Sequence, residues 1–218
     1  MNFNKETHEY TENGDEYVSI TKFIKRFEPE FPKELLASKI AKRDGVSVES
    51  VISKWETNAQ VSRDYGKAIH GGIEYWIDHA EFSKLSHIKE AIEKFSEKFD
   101  RVSLKSEQVI SNDSLKLAGT IDVLQKLGNK KVNLIDLKTN YEIEEKGKGY
   151  FLAPIQELPY NKLNVYRLQL SLYKHLLTQK GLIVEDMWIE HWTGKEWNKI
   201  KIKEIEQEIL NKLWQTLS

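Results

Sequence analysis

The sequence predicts an α/β protein: a mixed central sheet of about four or five strands flanked by helices. Three observations point there. Apolar stripes at helical spacing alternate with short runs rich in Val, Ile and Leu. The elements follow the order helix, three strands, helix, strand, with extra helices in front. And residues 117–139, LAGTIDVLQKLGNKKVNLIDLKT, form two apolar runs broken at Gly128-Asn129, the pattern of a β-hairpin.

Residues 1–16 are polar and predict a frayed end. Ser19 is placed to cap a short helix reaching about residue 27, and Pro32 suits the first turn of a second helix that stops near Gly45. Ser47 precedes Val48, Val51, Ile52, Trp55 and Ala59, a helical stripe that continues through Gly66, His70, Ile73 and Ile77. A further helix is expected over 84–99. Strands follow at about 102–111, 115–126 and 131–139. Residues 140–160, with Gly147, Gly149, Pro154 and Pro159, read as a polar loop long enough to suggest a functional or mobile segment. Residues 161–180 form a helix stopped by Gly181. A strand at 183–192 turns through Thr193-Gly194-Lys195 into 197–202, and a last helix covers 203–216.

Composition narrows the chemistry. At 218 residues, one domain with a sizeable core is the default, with 1–65 as a helical extension and 66–218 as the core. The chain has no cysteine, which excludes disulfides, thiol catalysis, cysteine-bound zinc and iron–sulfur clusters. A net charge of −1 argues against coating nucleic acid through bulk charge and leaves a local basic groove open. No run reaches the roughly 18 apolar residues that a membrane span needs. The polar N-terminus has no signal-peptide core, so a cytoplasmic, intracellular protein is expected.

The hairpin carries the most chemistry. Its turn brings Asp122 opposite residues 135–137, and Asp136 and Lys138, two apart, share one strand face. Two carboxylates and an ammonium therefore meet among apolar residues, where charges are costly unless paired or bound to a metal. Mg2+ and Mn2+ prefer hard oxygen ligands. Asp122, Asp136 and the Leu137 carbonyl can supply three, and Lys138 can stabilise charge on a phosphate. An ordinary strand-surface ion pair is the competing explanation. His70 stands four residues after Gly66, whose missing side chain would let the helix approach the sheet and His70 reach the metal; for a lone histidine, a surface or satisfied core residue is the stronger explanation. Glu107 precedes the hairpin and is either another lining carboxylate or an exposed strand residue. Gln169 and Tyr173 share a helix face and can hydrogen-bond phosphate or a site carboxylate; the alternative, an amphipathic helix whose polar residues face water, is opposed by Leu168 and Leu170 flanking Gln169. The same helix carries Lys162, Arg167, Lys174, His175 and Lys180 and no acid, either a phosphate-tracking surface or a solvated basic face.

Taken together, Gly66-x-x-x-His70, Glu107, Gly119-Thr-Ile-Asp122, Asp136-Leu-Lys138 and Gln169-x-x-x-Tyr173 resemble the ordered motifs of RecB-type nucleases of the PD-(D/E)XK superfamily, over about residues 66–192. Residues 18–27, VSITKFIKRF, and the helix with Trp55-Glu56 are similar to a subgroup of single-domain DNA exonucleases, phage-encoded and mitochondrial ones among them. The resemblance implies a restriction-endonuclease-like core. It also implies metal ligation by His70, Asp122, Asp136 and the Leu137 carbonyl, with Glu107 as a further acidic position. Lys138 becomes catalytic, and Gln169 and Tyr173 organise the site and hold DNA. Ile121 stands where the superfamily's name has proline, and the missing cysteines exclude the iron–sulfur subgroup.

The expected function is Mg2+- or Mn2+-dependent hydrolysis of DNA, by an exonuclease acting on single strands or duplex ends. The helices before residue 66 and the loop 140–160 would cover the site. Tyr141, Tyr150, Phe151 and Tyr160 would either stack on unpaired bases or pack the loop. A sequence- or structure-specific endonuclease, an RNA nuclease and a non-catalytic nucleic-acid-binding module are the alternatives.

Overall fold

The computed structural model describes residues 1–4, 7, 9–147 and 149–217. The N-terminus is structured where the sequence predicts fraying. Strands β1 (Asn2–Asn4), β2 (Glu9–Glu12) and β3 (Asp15–Ser19) form an antiparallel meander. Aromatic packing is the reason: Phe3 stacks on Tyr10 with ring centroids 4.6 Å apart, and Tyr10 and Tyr17 bury against Ala118 of a later strand. For residues 5, 6 and 8, the expectation of fraying lies outside the described residues.

Ser19 caps α1 (Ile20–Lys25), its hydroxyl accepting the Lys22 N–H at 3.1 Å. Helix α2 (Lys33–Asp44) ends at Gly45, whose φ of 67° is the left-handed cap that glycine tolerates. Ser47 caps α3 (Val48–His79), one unbroken helix of 32 residues. Its first half packs on α2 through Ala37, Ala41 and Val51, and its second half reaches the sheet. Helix α4 (Ser86–Ser96) then leads to β4 (Leu104–Asn112), β5 (Leu117–Gly128) and β6 (Lys131–Lys138). Asn129 and Lys130, both at positive φ, make the two-residue turn of the expected hairpin. Helix α5 (Lys162–Gln179), capped by Asn161, crosses over to β7 (Ile183–Trp192), which pairs parallel to β6 and antiparallel to β8 (Trp197–Lys201). The last helix, α6 (Gln207–Trp214), starts four residues later than expected. Ile202 and Ile205 enter the core before it, and the Ile205 N–H donates to the buried Ser171 hydroxyl instead of to a helical partner.

The fold is a mixed sheet between helices, as the sequence predicts, with eight strands among the described residues in place of four or five because the meander joins it. Helices α1, α5 and α6 pack on one face around Leu134, Leu168, Leu172 and Ile189. Helices α3 and α4 pack on the other around Ile73, Phe95, Ile135 and Trp188. No helix among the described residues is long and apolar enough to cross a membrane.

The sheet is split at its centre. One edge of β5 pairs with β4 along nearly its whole length. Its other edge pairs with β6 only as far as Val123↔Ile135, and with β3 at Leu117 and Ala118. Between those stretches β6 parts from β5, and the Asp122 carboxylate accepts the freed Leu137 N–H at 2.8 Å. The side-chain alternation also changes phase here. Ile121 and Val123, which a regular strand would point to one face, belong to opposite cores, and so do Leu104 and Ile110 of β4. The residue of β4 that falls opposite Asp122 in this register is Glu107, at φ 46°. That left-handed turn of the backbone is where the strand reverses its faces.

Candidate metal centre

A cleft of about 440 Å3 lies against the centre of β5. Its walls come from α3 (Gly66, Lys67, His70, Glu74), the centre of β5 (Gly119, Thr120, Asp122), the meander (Phe3, Tyr10) and the start of α1. Of the cover expected from the helices before residue 66 and the loop 140–160, the start of α1 lines the cleft, while α2 and the loop are absent from its described lining. That loop packs instead on α1 and α5: Phe151, Ile155 and Leu158 are buried, and the Leu152 N–H donates to the Phe27 carbonyl at 2.7 Å. Phe151 meets Tyr160 edge to face, and the Tyr160 hydroxyl donates to Glu28. Those two aromatics take the packing role, while Tyr141 and Tyr150 stand exposed.

Two glycines set the spacing. A Cβ on Gly66 would stand 2.9 Å from the Thr139 hydroxyl, so α3 approaches the end of β6 closely there, as expected. A Cβ on Gly119 would come within 2.5 Å of the Tyr173 ring, which lies directly over β5. Tyr173 is buried and donates to the Thr120 carbonyl at 2.9 Å, and burial holds its phenol far above the usual range. From the other side the Tyr10 hydroxyl bonds the Thr120 hydroxyl at 2.9 Å.

His70, Glu107 and Asp122 converge, each offering one donor atom within 4.8 Å of the others, and can hold a metal ion. His70 Nδ1 is 3.7 Å from Asp122 Oδ1. Two carboxylates and an imidazole suit a hard or borderline divalent cation. Glu107 reaches this group from a strained backbone, since a non-glycine residue at left-handed φ costs about 1–2 kcal/mol. Gly normally weakens a strand relative to Ala; at this position the order should invert. Glu107→Gly is expected to exceed Glu107→Ala in stability by about 1 kcal/mol in metal-free urea melts. The ordinary order, with Ala the more stable, would count against the strain.

Asp136 stands next to that trio without being one of it. It is 3% exposed, and Lys138 Nζ stands 2.5 Å from its Oδ2, off the direction of a hydrogen bond, so this buried oxygen has an ionic contact but no directed donor. Gln169 donates to Oδ1 across 3.4 Å, a long bond. A buried carboxylate oxygen with an ionic contact but no directed donor, next to the trio, fits a centre that takes up a cation. The contact between Leu137 and Asp122 runs through the Leu137 N–H. Tyr166, one turn before Gln169, puts its ring 4.8 Å from Lys138 Nζ. The residues Tyr166, Gln169 and Tyr173 thus form one face of α5, each touching Lys138, Asp136 or Thr120. Sequence reasoning named the last two and missed Tyr166 and Tyr10; the spacing of three before Gln169 was the signal for the first.

Burial raises the Asp136 carboxyl to about 6; Lys138 opposes the rise and Asp122 adds to it. Burial pulls the other way on Lys138, but Asp136 and then Asp122 carry its ammonium above the usual range, so it stays charged. Between pH 4 and 6 the folded Asp136 therefore binds a proton that the unfolded chain does not. Its contribution to stability falls as pH rises through that window, by about 3 kcal/mol in total. Asp136→Asn has no such titration. Urea melts in EDTA should show the stability of Asp136→Asn relative to wild type rising between pH 4 and 7; a flat difference would refute the assignment.

The basic face expected on α5 is largely consumed by the C-terminal segment. Arg167 donates to the carbonyls of Lys203 and Glu204, and Lys174 pairs with Glu204 at 2.5 Å. Lys67 is instead exposed at the cleft.

No protein family and no curated protein matches this chain. Among solved structures it is similar to SSO0001, at 13% identity over 95% of this chain and 77% of that one, with a TM-score of 0.41. It is also similar to an exonuclease candidate from Eubacterium rectale, at 14% identity over 92% of this chain and 77% of that one, with a TM-score of 0.39. These likenesses are distant, and the functional reading rests on the site's own geometry.

Proposed function

We propose that this protein is a metal-dependent DNA nuclease with a RecB-type, PD-(D/E)XK-like site. Residues 66–218 would form its catalytic core, and 1–65 an extension that lends the cleft one wall. The observation that carries the reading is the convergence of His70, Glu107 and Asp122 beside the Asp136–Lys138 pair, where β6 parts from β5. His70, Asp122 and Glu107 would hold Mg2+ or Mn2+, with Asp136 and the Leu137 carbonyl completing the set. A bound cation of this kind supplies a lowered pKa for water and offsets charge on a phosphate.

The chain's own groups do the rest. Lys138 carries a fixed positive charge that stabilises negative charge growing on the scissile phosphate. Gln169 holds Asp136, and Tyr173 pins the Thr120 backbone two residues before Asp122. Lys67 offers an ammonium to a phosphate at the mouth. Phe3 and Tyr10 wall one side of the cleft, and a walled cleft admits a strand end more readily than a continuous duplex. This favours an exonuclease on single strands or duplex ends.

The test is digestion of 5′- and 3′-labelled single-stranded and duplex DNA with Mg2+, Mn2+ or Ca2+. Terminal products with Mg2+ or Mn2+ are expected, and Ca2+ should support binding without cleavage. Rapid cutting of a covalently closed single-stranded circle would make the enzyme an endonuclease, and metal uptake with no turnover on DNA or RNA would make it a binding module.

A further inference from the structure

We propose that Tyr166 is a positioning residue for Lys138: its ring face holds the ammonium in place while Asp136 engages other partners. The inference rests on the proposed role of Lys138 in cleavage. Three observations carry it. Lys138 Nζ stands 2.5 Å from Asp136 Oδ2 and 4.8 Å from the centre of the Tyr166 ring, a range in which a cation is attracted to the ring face. The contact to Asp136 lacks hydrogen-bond direction, so it fixes the distance of the ammonium but not its orientation. The ring is held on α5 by the same helix that delivers Gln169 to Asp136, so the two supports of the pair move together.

The division of labour follows from charge. A carboxylate that is also offered to a cation and to Gln169 is a shared partner, and sharing weakens its hold on Lys138. An aromatic face competes for neither a cation ligand nor a phosphate, so it retains the ammonium in every state of the site. It is also a weaker partner than a carboxylate, which leaves Lys138 free to act on the substrate. A tyrosine three residues before Gln169 therefore supplies what Asp136 cannot.

The test uses the full chain and a graded ring. Phenylalanine, then mono-, di- and trifluorophenylalanine, replace Tyr166 with little change of shape and a falling attraction for cations. Tyr166→Leu removes the ring. The expected result is a stepwise fall in kcat across the fluorine series, with KM within about twofold, near-wild-type turnover for Tyr166→Phe and about a tenfold loss for Tyr166→Leu. A second readout needs no turnover: the lysine Hε and Nζ resonances of Lys138 should carry a ring-current shift that persists in Tyr166→Phe and vanishes in Tyr166→Leu. A flat fluorine series, or no ring-current shift, overturns the role of Tyr166. Lys138→Ala run alongside separates the two claims. If it stops cleavage while the series is flat, the nuclease reading stands and the Tyr166 inference falls; if it cuts like wild type, the role of Lys138 falls first.

Discussion

Lys138→Ala is expected to lower kcat for phosphodiester cleavage by about 10³-fold or more, with DNA binding in Ca2+ nearly unchanged. The ammonium stands 2.5 Å from Asp136, and two carboxylates keep it charged. Its loss removes a charge that matters most when negative charge builds on the phosphate, so the effect belongs in kcat. The substitution also leaves Asp136 buried without its cation, an arrangement that usually destabilises a fold by several kcal/mol. Here the damage is limited, because Asp136 already sits near a carboxyl pKa of about 6 and can take up a proton instead. A loss of about 1–3 kcal/mol is therefore expected, small enough for a folded variant. Steady-state cleavage, fluorescence anisotropy with labelled DNA and circular dichroism on one preparation check all three statements. Wild-type turnover in folded Lys138→Ala would sink the mechanism.

The second large effect concerns the cation. Mn2+ at a hundred times its dissociation constant should stabilise the protein by about 2.7 kcal/mol and raise Tm by about 5–10 °C, reversibly with EDTA. Asp122 should dominate this response, since it belongs to the convergent trio and lies at the split of the sheet. Two substitutions separate its roles. Asp122→Asn keeps an oxygen that can accept the Leu137 N–H but removes the charge. It should abolish the Mn2+ response and leave the metal-free protein at or above wild-type stability, because repulsion among the site carboxylates is relieved. Asp122→Ala should also lose the response, and in addition fall by about 1–3 kcal/mol as the Leu137 N–H is left without its acceptor. Calorimetric scans with and without Mn2+ measure both. An undiminished Mn2+ shift in Asp122→Asn would remove this residue from the centre.

The elements that were legible in the sequence are those written locally. Ser19, Ser47 and Asn161 cap their helices because a short polar side chain satisfies free N–H groups within three residues. The hairpin was legible from Gly128-Asn129, because only a few residue types accept positive φ. Asp136 and Lys138 share a face because strand alternation has a period of two. The meander was not legible: its strands are short and polar, and what orders them is Tyr10 and Tyr17 meeting Ala118, about a hundred residues on.

The α/β class, the order of elements from α1 onward, the hairpin and the set of chemically able residues are written in the chain's local pattern. How that set divides depends on packing between distant segments. Glu107, an ambiguous strand residue in the sequence, enters the trio with His70 and Asp122 because its backbone turns left-handed opposite Asp122. Asp136 falls to Lys138 and Gln169. The phase change at Ile121–Val123 and the parting of β6 from β5 make that division. The physical reason is one of range. Capping, turn formation and alternation depend on neighbours a few residues away, which a sequence displays directly. A strained φ persists only where packing from distant segments over-determines it, and here those segments are α3, α5 and an N-terminal meander that local pattern does not predict.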